Sequence, residues 1–536
     1  MVTPVRPDRL RYHLEAIGYD SDIVEYLCHG FTHGFSIEHQ GDLHQTEPPN
    51  NSSVDQNIEV TEKLLQVELL AGRLAGPYDQ PPFANFHVSP LKLVPKSKNP
   101  ESPTFRLVHN LSHPFRGDSV NSGIPDSKKK VHYATILDAI HLIVALPNPV
   151  FTAKTDIAHA YRIIPISPSD YFKLGLKFKG KYYFDRTLPP GAGSACQIFE
   201  TFSTALHAIH KFYAQSQNSI HMLDDFLFIA SHASMCQSTM NLFDAICDDI
   251  AVPIAPHKRT SPSRNTVFLG IELDTARGMA ILPQDKVRSY AASVQLTMEA
   301  SKVTRTQLES LVGKLSFASL VVPARAFLRR LIDLLCTAKH PHHRIRITRE
   351  VRKDLQTWLS FLSSYNGRTY FRMLGTVDSP VLHMYSDASK QGFGATFGSS
   401  WIQAAFPVRW QHMLTDSDIH ISFLELYPVL VLLTMFGHKI QNANILFHSD
   451  NEGVVSVLNK QSSKDPLLMS LIRPLVLTLI GFNINLKLEH IPGLENVLSD
   501  AISRFQITPR LLAEHAMHPT STPIPSHLLP HNFEIE

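Results

Sequence analysis

His221–Ile229 reads HMLDDFLFI, an adjacent pair of acids, Asp224 and Asp225, set in an otherwise apolar run. Apolar residues on both sides of a short polar break read as strand, turn, strand. Two carboxylates in such a hairpin repel one another and resist desolvation, so the arrangement is costly without a counter-ion. A solvated hairpin tip is one way out. A divalent cation is the other, and the rest of the chain decides between them.

Working outward, Lys154–Ile166 reads KTDIAHAYRIIPI, in which Asp156 closes an apolar run at the start of a turn. A third acid brought beside the pair is what two-ion phosphoryl transfer requires, one ion activating a hydroxyl and the other stabilising the leaving pyrophosphate. Between these segments lies LPPGAGSACQIF, Leu188–Phe199, a Pro-Pro-Gly turn entering a helix. Gly191 in such a turn permits close approach of a base or phosphate. Tyr161 follows Asp156 by five residues, placed either to lie beneath an incoming sugar and exclude a 2′-hydroxyl or to pack behind the strand. In this order, with Phe268-Leu269-Gly270 downstream, the segment resembles a reverse transcriptase: first-aspartate motif, glycine turn, x-x-D-D, and a primer-grip-like hairpin. Pro90–Pro114, PLKLVPKSKNPESPTFRLVHNLSHP, resembles the fingers hairpin of that family. The resemblance implies that Lys96 or Lys98, with Arg106, holds the nucleotide triphosphate. Pro190, Cys196 and Leu223 depart from the commoner Gln, Pro and Met of retroviral relatives, and Gly76–Lys96 with His109–Pro125 looks most like the tyrosine-recombinase (DIRS-type) retrotransposons. Lys258, ahead of the FLG hairpin, is either a surface lysine or a proton donor to pyrophosphate.

Four further acids follow. VLHMYSDASKQGFG (Val381–Gly394) ends a strand at Asp387, FLELYPVLVLL (Phe423–Leu433) puts Glu425 in the first turns of an apolar helix, ILFHSDNEGVVSVL (Ile445–Leu458) ends a strand at Asp450, and LEHIPGLENVLSDAISR (Leu488–Arg504) carries Asp500 on a helix after a glycine loop. Each acid alone reads as a cap or a surface charge. Together, in this order, they resemble the ribonuclease H fold, which implies Asp387, Glu425, Asp450 and Asp500 as metal ligands, with His490 and Asn496 as the loop histidine and asparagine. The implied cofactor is Mg²⁺ or Mn²⁺, two ions at each site, held in the first by Asp156, Asp224 and Asp225.

The chain has 536 residues, 43% hydrophobic and 18% charged, which describes globular material of several domains. Five scattered cysteines without C-x-x-C spacing encode no disulfide framework or zinc finger, so a reducing compartment, cytoplasm or nucleus, is expected. No apolar N-terminal stretch suggests secretion, and the longest charge-free apolar run, Leu426–Gly437, is too short to span a bilayer, so no membrane association is expected. The net charge of +2 conceals an uneven distribution: Lys92–Lys130 holds 8 Lys/Arg against 3 Asp/Glu, and Lys302–Lys353 holds 12 against 3. Those stretches suit a polyanion. The second overlaps Gly313–Asp333, which resembles the thumb and connection of retroelement polymerases.

The sequence thus predicts an α/β and α+β multidomain chain: a helical segment and linker (1–57), right-hand polymerase fingers and palm (58–282), helical thumb/connection (283–378), a ribonuclease H-like mixed α/β domain (379–507) and a flexible tail (508–536). The implied activity is RNA-directed DNA synthesis with hydrolysis of the RNA strand in the hybrid. Its partners would be dNTPs, a primed RNA or DNA template, and the RNA–DNA hybrid. Two other readings stand beside it: a polymerase whose ribonuclease H domain only holds the duplex, and a non-catalytic, domesticated nucleic-acid-binding remnant. All seven carboxylates are present, which argues against decay. Pro341–Arg344, PHHR, lacks a second ligand cluster and reads as part of the basic connection.

Overall fold

The computed structural model describes residues 1–95, 104–115, 117–322, 324–364, 369–370, 377–415, 421–492 and 496–533. The chain divides into two compact units, Met1–Leu269 and Gly270–Glu536, each mixing helices with sheets.

In the first unit the apolar runs around the acids pair as one antiparallel sheet, in the order Ser219–Met222, Asp225–Ala230, Phe151–Asp156, Thr260–Ser263. Its central strands are buried along most of their length, which is why they read as continuous apolar runs rather than alternating ones. Helices Ala195–Ala214 and Ala233–Ile250 pack on this sheet. Phe199, Phe202, Phe226, Phe228 and Phe243 fill the core. The N-terminal helices Pro7–Ala16 and Ser21–His33 contribute Leu10, Leu14, Leu27 and Phe31 to that same core, and the Arg9 guanidinium holds Asp249 at 2.7 Å. A three-stranded sheet (Leu74–Tyr78, Lys181–Asp185, Gly175–Phe178) and the hairpin Leu91–Pro95/Phe105–His109 complete the unit.

Residues 45–57, polar and Pro/Asn-rich enough to read as a linker, are held as a strap. Asn50 Oδ1 accepts from Leu91 N and its Nδ2 donates to the Lys177 carbonyl, Ser53 Oγ accepts from Leu93 N, and a short helix Ser52–Asp55 buries Val54. Side-chain amides and hydroxyls that favour loops also satisfy a sheet edge, so composition alone does not separate the two.

In the second unit, helices Gln284–Glu299, Arg305–Ala318, Arg329–Cys336 and Arg349–Ser364 precede two three-stranded sheets. One is antiparallel (Tyr385–Ala388, Gly392–Phe397, Ser400–Ala405). The other is parallel (Val377–Asp378, Asn444–Ser449, Asn485–His490). Helix Ile421–Phe436 packs on the first sheet and against helix Pro466–Gly481. Extended by the turn Gly437–Lys439 it is long and apolar enough by composition to cross a membrane, and 72% of its most apolar window is buried inside the unit. The last residues, expected as a flexible tail, are anchored instead: Leu528 O accepts from the Tyr427 hydroxyl, His518 O from Trp401 Nε1, and Phe533 packs edge-on to Tyr427.

Candidate active sites

Asp156 ends its strand directly opposite Asp225, and Ile157 N donates to the Asp224 carbonyl at 2.9 Å. Antiparallel register thus brings acids some seventy residues apart in sequence to one sheet end. The pairing of Met222 with Asp225 leaves Leu223 and Asp224 as a two-residue turn, and Leu223 takes φ +54°. Tight hairpin turns need positive φ, which costs a branched side chain about 1–2 kcal/mol. Glu200, buried on helix Ala195–Ala214, accepts from Leu223 N at 2.9 Å and steadies the turn.

Asp156 and Asp224 form one side of a cleft of about 940 Å³ whose lining also includes Arg106, His109, Tyr161 and Lys258, with Asp225 next along the hairpin. Asp156 is buried and its two carboxylate oxygens accept from Lys258 Nζ at 2.7 and 2.9 Å. Burial raises the Asp224 carboxyl above its usual range, with Asp156 adding to the shift. Burial likewise pushes Asp225 up to about 6, against the pull of Lys154, whose Nζ lies 3.3 Å away. The donors are hard oxygens, which suit Mg²⁺ or Mn²⁺, and two ammonium groups occupy part of the charge such ions would balance.

Tyr161 is half-buried, its hydroxyl 3.3 Å from Cys196 Sγ and its ring 5.3 Å from Phe199. It therefore both lines the cleft and packs on the core. Its position is fixed by two consecutive left-handed residues, His159 and Ala160, and by half-buried Arg162, which reaches Glu68 and Asp185 at 2.8 Å. Gly191 sits where an added Cβ would lie 2.4 Å from the His109 carbonyl oxygen, and Asn121 braces its turn by donating to Gly191 O and accepting from Gly193 N. Arg106 is exposed on the Phe105–His109 strand. Lys96 and Lys98 lie outside the described residues.

In the second unit Asp387, Glu425 and Asp450 converge, one carboxylate oxygen from each lying within 4.8 Å of the others. Asp387 is buried and accepts from Ser503 Oγ at 2.6 Å. Burial raises both Asp387 and Glu425, Glu425 far above its usual range with Asp387 and Asp450 reinforcing it. Burial and neighbouring like charge both disfavour the charged form of such groups, and a cluster of hard oxygens is what a divalent ion balances. Asp500 stands outside this trio and accepts from Arg504 Nε at 2.7 Å. Gly394 lets helix Val497–Ser503 close onto the sheet, since a Cβ there would meet Ile502 at 2.5 Å. Asn496 is buried and donates to Ser386 O, while His490 is exposed at the end of its strand.

Neither Lys154 nor Glu200 was legible as a site residue. One reads as the polar alternate of a strand and the other as a helix surface position, and only the register and the helix packing show their partners.

No family model matches the chain, and no curated protein matches it. Solved structures with a similar chain path include the foamy viral protease-reverse transcriptase bound to double-stranded DNA, in two structures at 14% identity: one with a TM-score of 0.49, covering 90% of this chain and 81% of that one, the other with a TM-score of 0.47, covering 90% and 96%. The same foamy viral protein in complex with an RNA/DNA hybrid matches at 14% identity with a TM-score of 0.47, covering 90% of this chain and 62% of that one.

Proposed function

We propose that the chain is a retroelement reverse transcriptase with a ribonuclease H domain, built as right-hand fingers, palm and thumb followed by the nuclease, of the DIRS-like kind that Gly76–Lys96 and His109–Pro125 resemble. The observation that carries this reading is the joint placement of two acid groups: Asp156, Asp224 and Asp225 at one sheet end, the first two lining a cleft, and Asp387, Glu425 and Asp450 within 4.8 Å of one another. One such group has many explanations. Two, in this order, fit a polymerase and a nuclease that both act on phosphodiesters.

Under this reading Asp156 and Asp224 hold divalent ions at the primer end, with Asp225 beside them, and Arg106 takes the triphosphate. Gly191 closes its turn against the His109 carbonyl, which leaves Pro189 and Pro190 lining the cleft where the base would sit, and Tyr161 faces the sugar. Mg²⁺ or Mn²⁺, two ions at each site, would supply a more acidic attacking hydroxyl and charge for the leaving group. Lys258, hydrogen-bonded to Asp156, is a proton source within the cleft. In the nuclease, Asp387, Glu425 and Asp450 hold the ions, with Asp500 and His490 completing the site.

The test is a labelled primer on an RNA template with dNTPs and Mg²⁺, reading primer extension and RNA shortening in one reaction, with and without EDTA. Both products, lost with EDTA, are the expected result. Extension without RNA shortening would leave a polymerase with a structural second domain, and binding without either product would leave a nucleic-acid-binding remnant.

A further inference from the structure

Lys154 is a cation that no part of the acid pattern requires. The strand Phe151–Asp156 is otherwise apolar or hydroxylic up to its acid, and period two puts Lys154 on the same face as Asp156. Asp156 stands opposite Asp225 and Lys154 opposite Leu227, so Lys154 is the diagonal neighbour of Asp225. Its Nζ lies 3.3 Å from Asp225 Oδ1 and 3.5 Å from Oδ2.

The two lysines of the site differ in kind. Lys258 comes from a short turn and its side chain is 47% exposed. Lys154 comes from a central strand, its side chain 19% exposed and that of Asp225 20%. A half-exposed ammonium on a short turn can give way to an ion, whereas one rooted in a strand and largely shielded from water stays where its partner is. Among the described residues, Asp225 Oδ1 has no hydrogen-bond donor besides this neighbour's charge.

We propose that Lys154 is a positioning residue that holds Asp225 as a permanently paired third carboxylate, leaving Asp156 and Asp224 to take the divalent ions and setting how tightly the site binds them. This rests on reading the cleft as the polymerase site. A carboxylate whose charge is engaged by a fixed ammonium at 3.3 Å attracts a divalent ion less than a free one does. The pairing therefore keeps ion affinity below what three free acids would give.

The experiment measures Mn²⁺ binding by electron paramagnetic resonance on the whole chain, taking as the first-unit site the difference from an Asp156→Asn variant. Lys154→Met should tighten binding at this site by about five-fold or more, while Lys154→Arg should stay within about two-fold of the parent. In an Asp225→Asn background, Lys154→Met should change affinity by less than about two-fold, because the lysine acts through that carboxylate. Unchanged or weaker binding in Lys154→Met, or tightening that persists with Asp225→Asn, would overturn the proposal. Primer extension is read in parallel: a parent chain that shows this Mn²⁺ pattern but extends no primer sinks the polymerase reading and leaves the pairing standing, and extension with an unaltered ion titration in Lys154→Met does the opposite.

Discussion

Tyr161 occupies two environments at once, and a substitution tells them apart. Its ring touches Phe199 and its hydroxyl approaches Cys196, yet it also lines the cleft beside Asp156. If the ring acts on the sugar, its penalty falls on ribonucleotides alone, so discrimination is gained without tighter dNTP binding. Tyr161→Ala is then expected to raise the relative efficiency of rNTP incorporation by about ten-fold or more, equivalent to about 1.4 kcal/mol of lost discrimination, with much dNTP incorporation retained. Single-nucleotide kinetics with both sugars check it. Equal losses for the two would mean that the tyrosine only packs. The aspartates were legible because an acid inside an apolar run is costly wherever it falls. Lys154, Glu200 and Ser503 were not, because each matters through one partner that register or helix docking supplies.

Single elements show where charge counting in the sequence goes astray. Lys302–Lys353 reads as one basic surface, and the structure divides it. Arg329 pairs with Asp333 four residues on, and Arg330 pairs at 3.1 Å with Asp354, itself only 2% exposed and also 3.4 Å from Arg473. Arg329 thus supports its own helix, and Arg330 ties helix Arg329–Cys336 to helix Arg349–Ser364. Among the exposed charges are those of the two-stranded pair Lys302–Thr304/Arg344–Arg346, where Lys302 stands directly opposite Arg346. Like charges facing across a ladder are unfavourable without an anion between or above them. Lys302→Glu with Arg346→Glu is expected to reduce the slope of log K against log salt for primer-template binding by about 0.9 for each phosphate that is no longer neutralised. Arg330→Glu should instead lower stability by about 2 kcal/mol or more by stripping a buried carboxylate of one cation, seen as an earlier unfolding transition.

Buried histidines give another element, helix Ala195–Ala214, a pH dependence of definite sign. Burial brings His210 down from 6.5 to about 4, and burial beside His221 also lowers His207 well below 6.5. An unfolded chain takes up these protons first as pH falls. Stability is therefore full above about pH 6.5 and is lost on acidification toward pH 4, by about 3 kcal/mol for His210 at roughly 1.4 kcal/mol per unit. Hydrogen exchange in the strand Asp225–Ala230 should show protection falling from pH 7 to pH 5. His210→Gln, which can still donate to the Thr239 carbonyl, should weaken that fall. A parent protein whose protection is unchanged over this range would show that the histidines are not charged on unfolding.

At the scale of the whole chain, the sequence order of the acids forecast two separate groups of carboxylates, and the order of apolar runs forecast the mixed α/β architecture around them. The strap at 45–57 and the anchored C-terminal residues were illegible, because polar and proline-rich segments are held by single hydrogen bonds and a few rings rather than by a periodic apolar face. The two acid groups lie in different compact units, Met1–Leu269 and Gly270–Glu536, and each brings its own carboxylates. Their chemistry is therefore expected to separate. Asp224→Ala removes a carboxylate from the first cleft and should abolish primer extension while leaving RNA cleavage within about three-fold of the parent, since nothing in the Asp387, Glu425 and Asp450 group depends on it. Asp450→Asn should do the reverse. Both variants relieve burial or repulsion among like charges and should fold, which a circular dichroism melt confirms before activity is compared. If either folded variant lost both activities, one catalytic centre would be serving two reactions, and the assignment of separate polymerase and nuclease sites would have to be abandoned.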